Sequence, residues 1–176
     1  MEDRDVTNSN MDDTIILNSH NKDEFPPSHT AEHLLNQTMI RMFGCGRSDN
    51  AHIERRKSKI SYKLDHKPDR KEEKEIERRL NELIDMDLPV TFEYVNRADL
   101  TDESTAEGGK YAGVSLDKLP DDASETIRLV RIGDYDVCPC IGKHVRSTSQ
   151  IGRFEMLGTN WDEMTHTFRI RFKVVQ

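Results

Sequence analysis

The chain has 176 residues, which is enough for one compact domain. Hydrophobic and charged residues each make up 34% of the sequence, and the apolar residues recur in periodic runs, which excludes a chain that is disordered throughout. The formal net charge of −7 excludes a protein that binds nucleic acid through an overall basic charge, and leaves only a local basic patch for contacts with phosphates.

The number of cysteines and the hydropathy of the sequence indicate the cellular compartment in which the protein is expected. The three cysteines, Cys45, Cys138 and Cys140, form an odd and sparse set that does not match the disulfide framework of a secreted protein. No stretch is long and apolar enough to cross a bilayer, and the acidic N-terminus lacks the apolar region of a signal peptide. We therefore expect a cytoplasmic protein without a membrane partner, whose cysteines are metal ligands or inert thiols.

The first 28 residues differ in composition from the rest of the chain. Residues 1–28 form an acidic segment with one apolar run at residues 15–17, which predicts either one short strand or a disordered tail. Pro26 and Pro27 close this segment, and Ser28 is expected to be the N-cap of the helix that follows. Residues 29–176 are predicted to form a single domain.

Periodicity predicts two main helices and several strands in residues 29–176. His29–Phe43 has an apolar face and ends at Gly44, and Asp69–Met86 follows Pro68 and carries a second apolar stripe. Alternating or apolar runs predict strands at residues 51–64, 90–95, 126–132, 152–157 and 167–175. This order predicts an α+β fold, in which the two helices pack on one face of an antiparallel β-sheet.

Two histidines stand four residues apart on the first predicted helix. At this spacing, His29 and His33 lie on one face of the helix, one turn apart, so both imidazoles can reach a single metal ion. Two ordinary surface histidines can show the same spacing. The pair therefore indicates a metal site only in combination with further ligands.

A second pair of candidate ligands stands late in the chain. Cys140 and His144 are four residues apart, and Gly142 between them permits a turn that brings a thiolate and an imidazole together. A buried cysteine beside a surface histidine is the alternative for this pair alone. With His29 and His33, the set comprises three imidazoles and one thiolate, which suits tetrahedral zinc, provided that the fold joins the two pairs.

These motifs occur in an order that resembles a known family. His-x-x-x-His at His29 and His33, and Cys-x-x-x-His at Cys140 and His144, resemble the editing domain shared by alanyl- and threonyl-tRNA synthetases, their second additional domain, and by free-standing AlaX-type proteins of the short form. The resemblance covers residues 28–176 and includes the second helix with its following strand. It also includes a spaced run of residues, namely Gly142, Val145, Thr148, Ile151, Gly152 and Phe154.

The resemblance implies a function. It implies hydrolysis of the ester that joins a wrongly attached amino acid to the acceptor end of a tRNA, with Zn²⁺ as cofactor. It favours removal of serine or glycine from alanine tRNA, with editing of the threonyl type as the nearest alternative. Two other classes stay open: a zinc-stabilised tRNA-binding module without catalysis, and a metal hydrolase for another small ester.

Three positions depart from the family pattern. Ile141 and Lys143 replace a glycine and a threonine of the usual Cys-Gly-Gly-Thr-His sequence, and Cys138 stands where an acidic residue is frequent. None of these positions is a proposed ligand, so the departures concern substrate choice and activity more than metal binding.

Roles for individual residues follow from the resemblance and from charge. Catalytic roles are predicted for His29, His33, His144 and Lys143. Lys143 either reaches a tRNA phosphate or the terminal ribose, or points into solvent. The predicted substrate-binding residues are Thr30 in the amino-acid pocket, Arg55, Arg56 and Lys57 on the tRNA backbone, and Arg146 near the acceptor end.

Two acidic residues and a second basic cluster complete the candidates. Glu32 is expected to face solvent, and Asp136 either orients a ligand histidine or lies in a surface turn. Arg78 and Arg79 are interleaved with glutamates, which favours a solvated helix face over a phosphate site.

Overall fold

A computed structural model describes residues 24–119 and 125–176. The prediction for the apolar run at residues 15–17 falls outside these ranges. Within them the chain forms three α-helices and seven strands. In chain order these are α1 (Pro26–Phe43), β1 (Asn50–His52), β2 (Ser58–Lys63), α2 (Arg70–Asp85), β3 (Val90–Asn96), α3 (Asp102–Thr105), β4 (Thr126–Ile132), β5 (Asp136–Pro139), β6 (Arg153–Asp162) and β7 (Thr167–Val175). Single 3₁₀ turns occur at Arg97–Asp99, Leu116–Lys118 and Thr148–Ile151.

The start of α1 differs from the prediction. Pro26 and Pro27 occupy the first helical positions, where a missing N–H costs nothing because the first turn has no acceptor for it. The N-cap is Phe25, which makes no side-chain capping bond, and Ser28 is fully buried inside the helix. The predicted Ser28 N-cap is therefore wrong. Proline is well suited to the first helical positions, so the helix begins at Pro26, two residues before the hydroxyl that the sequence rule selected as the cap. The helix ends at Gly44, as predicted.

Helix α2 starts with a complete capping box. The Asp69 carboxylate accepts a hydrogen bond from the Glu72 N–H, and the Glu72 carboxylate accepts one from the Asp69 N–H. Its buried stripe consists of Ile76, Leu80, Leu83 and Ile84. The boundaries agree with the predicted helix to within one residue at each end.

The strands form two antiparallel sheets. β1, β2, β7 and β6 lie side by side in that order in a four-stranded sheet, and β3, β4 and β5 form a three-stranded one. The predicted strand over residues 51–64 is a hairpin, because the Ser58 hydroxyl bonds both the N–H and the carbonyl of Glu54 and closes a turn there. The α+β class with antiparallel sheets is confirmed. Its division into two sheets is not visible in strand patterns, since alternation does not show which strands pair.

The main core lies between the two long helices and one face of the four-stranded sheet. Helices α1 and α2 contact each other, and they contact β7 and β6 respectively. Fully buried members of this core include Leu34, Leu35, Met39, Ile60, Ile76, Leu80, Phe154, Phe168, Ile170 and Phe172. A smaller core covers the three-stranded sheet and consists of Val95, Leu100, Tyr111, Val114, Ile127 and Leu129. None of the helices in the described ranges is long and apolar enough to span a membrane.

Candidate metal centre

Helix α1 supplies the first pair of donors. His29 and His33 lie in its first two turns with their ring centroids 5.2 Å apart. His33 is buried, whereas His29 is partly accessible. The two prolines and the Phe25 carbonyl, which accepts a hydrogen bond from the His29 N–H at 3.1 Å, fix the direction in which the helix presents this face.

The segment after β5 supplies the second pair. Cys140 follows the last residue of β5, and its N–H donates to the Arg128 carbonyl of β4 at 3.1 Å. The Arg128 side chain then holds the turn in place, because its Nε donates to the Cys140 carbonyl at 2.7 Å and its guanidinium also donates to the Gly142 carbonyl. Residues 140–144, which we call the ligand loop, are thereby laid against the start of α1.

Gly142 is required for this close approach. A Cβ atom at that position would stand 2.1 Å from Cε1 and 2.7 Å from Nδ1 of the His29 ring. Its φ angle is not positive, so the glycine is needed for space and not for the sharp turn that the sequence suggested. The ring of His29 can pack against the ligand loop only because this residue has no side chain.

We expect Gly142→Ala to separate the two donor pairs. The added methyl group overlaps the His29 ring, so either the ring or the ligand loop must move. Zinc affinity should fall about 10- to 100-fold, the range typical for disturbed ligand orientation. Competition with a chromophoric chelator measures this, and Gly46→Ala, a position with open space around its Cβ, is the matched control. Wild-type zinc affinity in Gly142→Ala would contradict the steric argument.

The four donors converge on one point. One donor atom from each of His29, His33, Cys140 and His144 lies within 4.8 Å of the other three. The Cys140 Sγ is 3.5 Å from the His29 Nε2, and the His144 ring lies 4.2 Å from the His29 ring and 4.5 Å from the His33 ring, centroid to centroid. Tetrahedral zinc places its ligand atoms about 3.3–3.8 Å apart, so a small contraction of the cluster suffices.

Two of the histidines are held by hydrogen bonds from Nδ1 to groups outside the cluster, and the Nδ1 of the third, His33, faces a carboxylate without a hydrogen bond to it. His29 Nδ1 lies 3.0 Å from the Lys143 carbonyl, His144 Nδ1 lies 2.9 Å from the Thr30 hydroxyl, and His33 Nδ1 lies 3.7 Å from an Asp136 carboxylate oxygen. Nε2 is then the remaining donor of each ring, as in metal sites whose ligand histidines are oriented by outer partners. The Nε2 of His144 is buried without a hydrogen-bond partner among the described residues, which fits a metal ligand.

The charges of the cluster also fit a cation. Burial alone would raise the pKa of the Cys140 thiol, but hydrogen bonds from the three histidines outweigh burial and lower that pKa to about 2. Burial alone would lower the pKa of His33, but the neighbouring Asp136 and Cys140 outweigh it and raise that pKa to about 10. Burial lowers the pKa of His144 to about 4. A thiolate and a buried carboxylate thus hold a proton on His33, and its positive charge offsets theirs. A metal cation would replace this proton as the compensating positive charge.

Asp136 belongs to a buried network that reaches beyond the cluster. Its carboxylate accepts hydrogen bonds from both Nη atoms of Arg47, at 2.7 and 3.0 Å, and from Gln37 Nε2 at 3.0 Å. Burial alone would raise the pKa of Asp136, but the adjacent His33 and Arg47 hold it well below its usual range. The carboxylate is therefore ionised and fixed, and its negative charge stands 3.7 Å from the Nδ1 of His33.

Comparison with known proteins agrees with this geometry. Residues 127–170 match the family described as the threonyl and alanyl tRNA synthetase second additional domain. The chain carries a domain of this family. The matched residues include the ligand loop, whereas helix α1 with His29 and His33 precedes them.

Individual relatives support the same assignment. The alanine–tRNA ligase of Methanococcus vannielii is 30% identical over 147 residues, which are 81% of this chain and 15% of that protein. The alanyl-tRNA editing protein AlaX-L of Pyrococcus horikoshii is 32% identical over 129 residues, which are 73% of this chain and 29% of that protein. The chain therefore spans less than a third of the length of these relatives. The resemblance to an AlaX-type editing domain is confirmed.

The departures from the pattern of this editing family have structural counterparts. Cys138, at the position where the family frequently has an acidic residue, lies opposite Val130 in the sheet. The carboxylate beside His33 comes instead from Asp136, two residues earlier and on the same side of β5. Ile141 is partly buried, and the side chain of Lys143 is exposed.

The other predicted site residues differ in their burial and in their contact with the cluster. Thr30 is fully buried, and its hydroxyl contacts His144 Nδ1 and accepts from the Val145 N–H at 3.2 Å, so it orients the His144 ring and does not open into a pocket. Lys143 contacts the centre through its backbone carbonyl. The exposed members are the side chains of Lys143, Arg55, Arg56, Lys57 and Arg146.

Glu32 differs from the expectation that it faces solvent. Its side chain is only 19% exposed, and its carboxylate lies 3.9 Å from His29 Nε2, beside the converging donors. The Arg78 and Arg79 pair behaves as expected for a solvated helix face, since both residues form ion pairs with Glu75.

Sequence reasoning missed several residues that build the editing-domain site. Arg47 holds Asp136, Arg128 holds the ligand loop, and a Glu24 carboxylate oxygen accepts from the Lys143 N–H at 2.5 Å. One signal was available: Arg128 interrupts the apolar residues of β4, and a charge in such a run needs a partner. Arg47 and Glu24 lie outside the regular elements and carry no comparable signal.

Proposed function

We propose that this chain is a zinc-dependent aminoacyl-tRNA deacylase that removes serine or glycine from alanine tRNA. The observation that carries the proposal is the convergence of His29, His33, Cys140 and His144 within a domain of the editing family. His29 and His144 are hydrogen-bonded to outer partners, and His33 lies beside Asp136. The names of the relatives, an alanyl-tRNA editing protein and alanine–tRNA ligases, support alanine tRNA as the substrate.

The donor set favours zinc. Three neutral imidazoles and one thiolate match the ligands and the tetrahedral geometry that Zn²⁺ prefers, whereas Mg²⁺ and Ca²⁺ require oxygen ligands. When bound, zinc would supply a positive charge that polarises the ester carbonyl and aligns the substrate.

Glu32 is the side chain that we assign to proton transfer. Its carboxylate stands beside the donors and is not engaged by a buried cation as Asp136 is by Arg47. It would accept a proton from the water whose oxygen attacks the ester carbonyl carbon. The ester C–O bond then breaks, and the same carboxylate returns the proton to the departing 3′ oxygen of the ribose, which leaves a free amino acid and an uncharged tRNA.

Hydrolysis of this kind corrects the errors that a tRNA ligase makes when it selects a small amino acid. A hydrophobic pocket discriminates poorly between amino acids that differ by one small group, so a ligase for a small amino acid gains fidelity from a second site. Thr30 was expected to lie in the amino-acid pocket, but its hydroxyl is bonded to His144 and Val145. We therefore assign to Thr30 an indirect part in selection, through the orientation of His144.

A deacylation panel tests the proposed function. Zinc-loaded protein should release serine and glycine from alanine tRNA and leave alanine attached. Glu32→Gln should retain zinc and lower the deacylation rate about 10²- to 10⁴-fold, the usual contribution of a general base. The matched control is Glu155→Gln, a carboxylate paired with Lys173 on the four-stranded sheet.

The panel also separates the alternatives. Release of serine from threonine tRNA alone would indicate editing of the threonyl type. Binding of tRNA without release of any amino acid would favour a zinc-stabilised binding module. Hydrolysis confined to small esters would favour a metal hydrolase for another small ester.

A further inference from the structure

The four-stranded sheet has a basic face on the side away from the helices. Along β2 and β7, the residues that alternate with the buried core positions are mostly cations. We define the basic sheet face as Lys59, Lys63, Arg169 and Arg171, of which the first three are exposed and the last is partly buried. Such a concentration is unexpected in a chain with a net charge of −7.

Two of these cations oppose each other directly. Lys59 pairs with Arg171 in the register of β2 and β7, and like charges at directly opposite positions destabilise a sheet. Within residues 24–119 and 125–176, no ion pair compensates Lys59, Arg169 or Arg171, whereas the neighbouring Lys173 is paired with Glu155 at 3.4 Å. The sheet thus retains a repulsion that a bound anion would relieve.

The strand beside β7 leaves room for one of the guanidinium groups. Gly158 of β6 lies opposite Arg171, and a Cβ at Gly158 would stand 2.4 Å from Arg171 Nη2. The Arg171 side chain can therefore lie across the sheet. Its Nε is buried and has no hydrogen-bond partner among the described residues.

A basic turn connects the strands of the basic sheet face to the start of α1, where the candidate metal centre lies. The turn between β1 and β2 carries Arg55, Arg56 and Lys57, and the Arg55 guanidinium lies 4.3 Å above the ring of Phe25. Phe25 is the N-cap of α1, one turn before His29. At the opposite end of β2, a groove of about 700 Å³ is lined by Lys63, Asn160 and Arg169, among others.

We propose that the basic sheet face binds the sugar–phosphate backbone of the tRNA acceptor stem while the 3′ end enters the metal centre. This inference rests on the proposed function for the identity of the RNA. Cations at alternate positions of two adjacent strands contact backbone phosphates without reading sequence, which suits the recognition of a duplex stem. Asp162, on the edge strand β6, lines the same groove as Lys63 and Arg169 and adds a negative charge at that end of the surface.

Binding of an uncharged RNA hairpin with the acceptor-stem sequence and its single-stranded 3′ end tests this surface. We expect the triple variant Lys59→Gln, Arg169→Gln, Arg171→Gln to bind at least about tenfold more weakly at low salt. The slope of log K against log salt concentration should fall by about 2–3, one for each phosphate that the variant no longer neutralises. The control removes the same charge from α2 through Arg70→Gln, Arg78→Gln and Arg79→Gln, and should leave both quantities close to wild type.

A second measurement separates this surface from the chemistry. In the triple variant, kcat/KM should fall for the serylated hairpin but stay unchanged for serine esterified to adenosine alone, which has no stem. If the wild-type protein hydrolyses neither substrate, the proposed function fails, and the binding assay still decides the surface. Wild-type affinity and salt slope in the triple variant, or equal losses in the α2 control, would overturn the inference.

Discussion

Replacing Cys140 with serine should abolish zinc binding and deacylation together. The thiolate is the only anion among the four converging donors, and the surrounding histidines hold its pKa at about 2. A serine hydroxyl stays protonated at neutral pH, so the variant lacks the negative charge that offsets the cation. Because loss of an outer partner already costs about 10- to 100-fold in metal affinity, loss of the thiolate should cost at least about 100-fold.

Zinc content after dialysis and competition with a chelator measure this loss, with deacylation followed on the same samples. Cys45→Ser is the matched control, because Cys45 is a free thiol outside the cluster, next to the main core. It should keep one zinc ion per chain and full activity. If Cys140→Ser kept zinc at wild-type affinity, the assignment of the four ligands would be wrong.

Replacing Asp136 with alanine should lower the free energy of unfolding by about 3–5 kcal/mol, the typical result of breaking a buried ion pair by removing one partner. Arg47 has a side chain that is only 9% exposed, and it donates both of its Nη groups to this carboxylate. The variant leaves its guanidinium buried and uncompensated. Urea denaturation of metal-free protein isolates this effect from zinc binding, and Glu75→Ala, which breaks an exposed ion pair on α2, should change stability little.

The same carboxylate predicts a pH dependence with a definite sign. The pKa of Asp136 is lowered in the folded protein, so its contribution to stability is complete above its unfolded pKa of about 3.9 and decreases as the pH falls below that value. The difference in unfolding free energy between wild type and Asp136→Ala should therefore be largest between about pH 4 and pH 6.5. It should decrease below about pH 4, where Asp136 is protonated, and above about pH 6.5, where the stabilisation from the raised pKa of His33 is progressively lost. A difference that grew on acidification below about pH 4 would contradict the assignment.

A double variant separates the structural part of Asp136 from its effect on the ligand. Asp136→Leu with Arg47→Met replaces both buried charges by apolar groups and should regain much of the lost stability. Zinc affinity should stay reduced about 10- to 100-fold, because the ring of His33 has lost the carboxylate beside its Nδ1.

The sequence predicted the parts of the site that depend on local spacing. One helical turn places His29 and His33 on the same face, and the short interval between Cys140 and His144 keeps both in one loop. That the two pairs meet depends on the pairing of β4 with β5 and on the position of α1, which no local pattern contains. The expectation that the two pairs meet therefore came from the resemblance to the editing family and not from the sequence pattern.

Predictions that depended on the surroundings of a side chain were less successful. Ser28 has the chemistry of a helix cap, but two prolines before it start the helix earlier and bury it. Glu32 follows a solvent-facing pattern, yet its side chain is mostly buried and its carboxylate lies 3.9 Å from His29 Nε2. Arg47 lies just past the end of α1, and only the tertiary fold shows that it ends against Asp136. For Arg47, an element distant in sequence decides the environment of the residue, whereas for Ser28 the neighbouring prolines do.

The separation of the two donor pairs has a consequence for the unfolded chain. His29 and Cys140 stand 111 positions apart, and they meet only when α1 rests against the ligand loop. An ion held by both would close a loop of more than a hundred residues and would restrict the conformational entropy of any state that retained it. A covalent disulfide of that span contributes about 4–5 kcal/mol by the same effect. Binding of zinc would therefore raise the free energy of unfolding of the chain and its withdrawal would lower it, in addition to any part in hydrolysis.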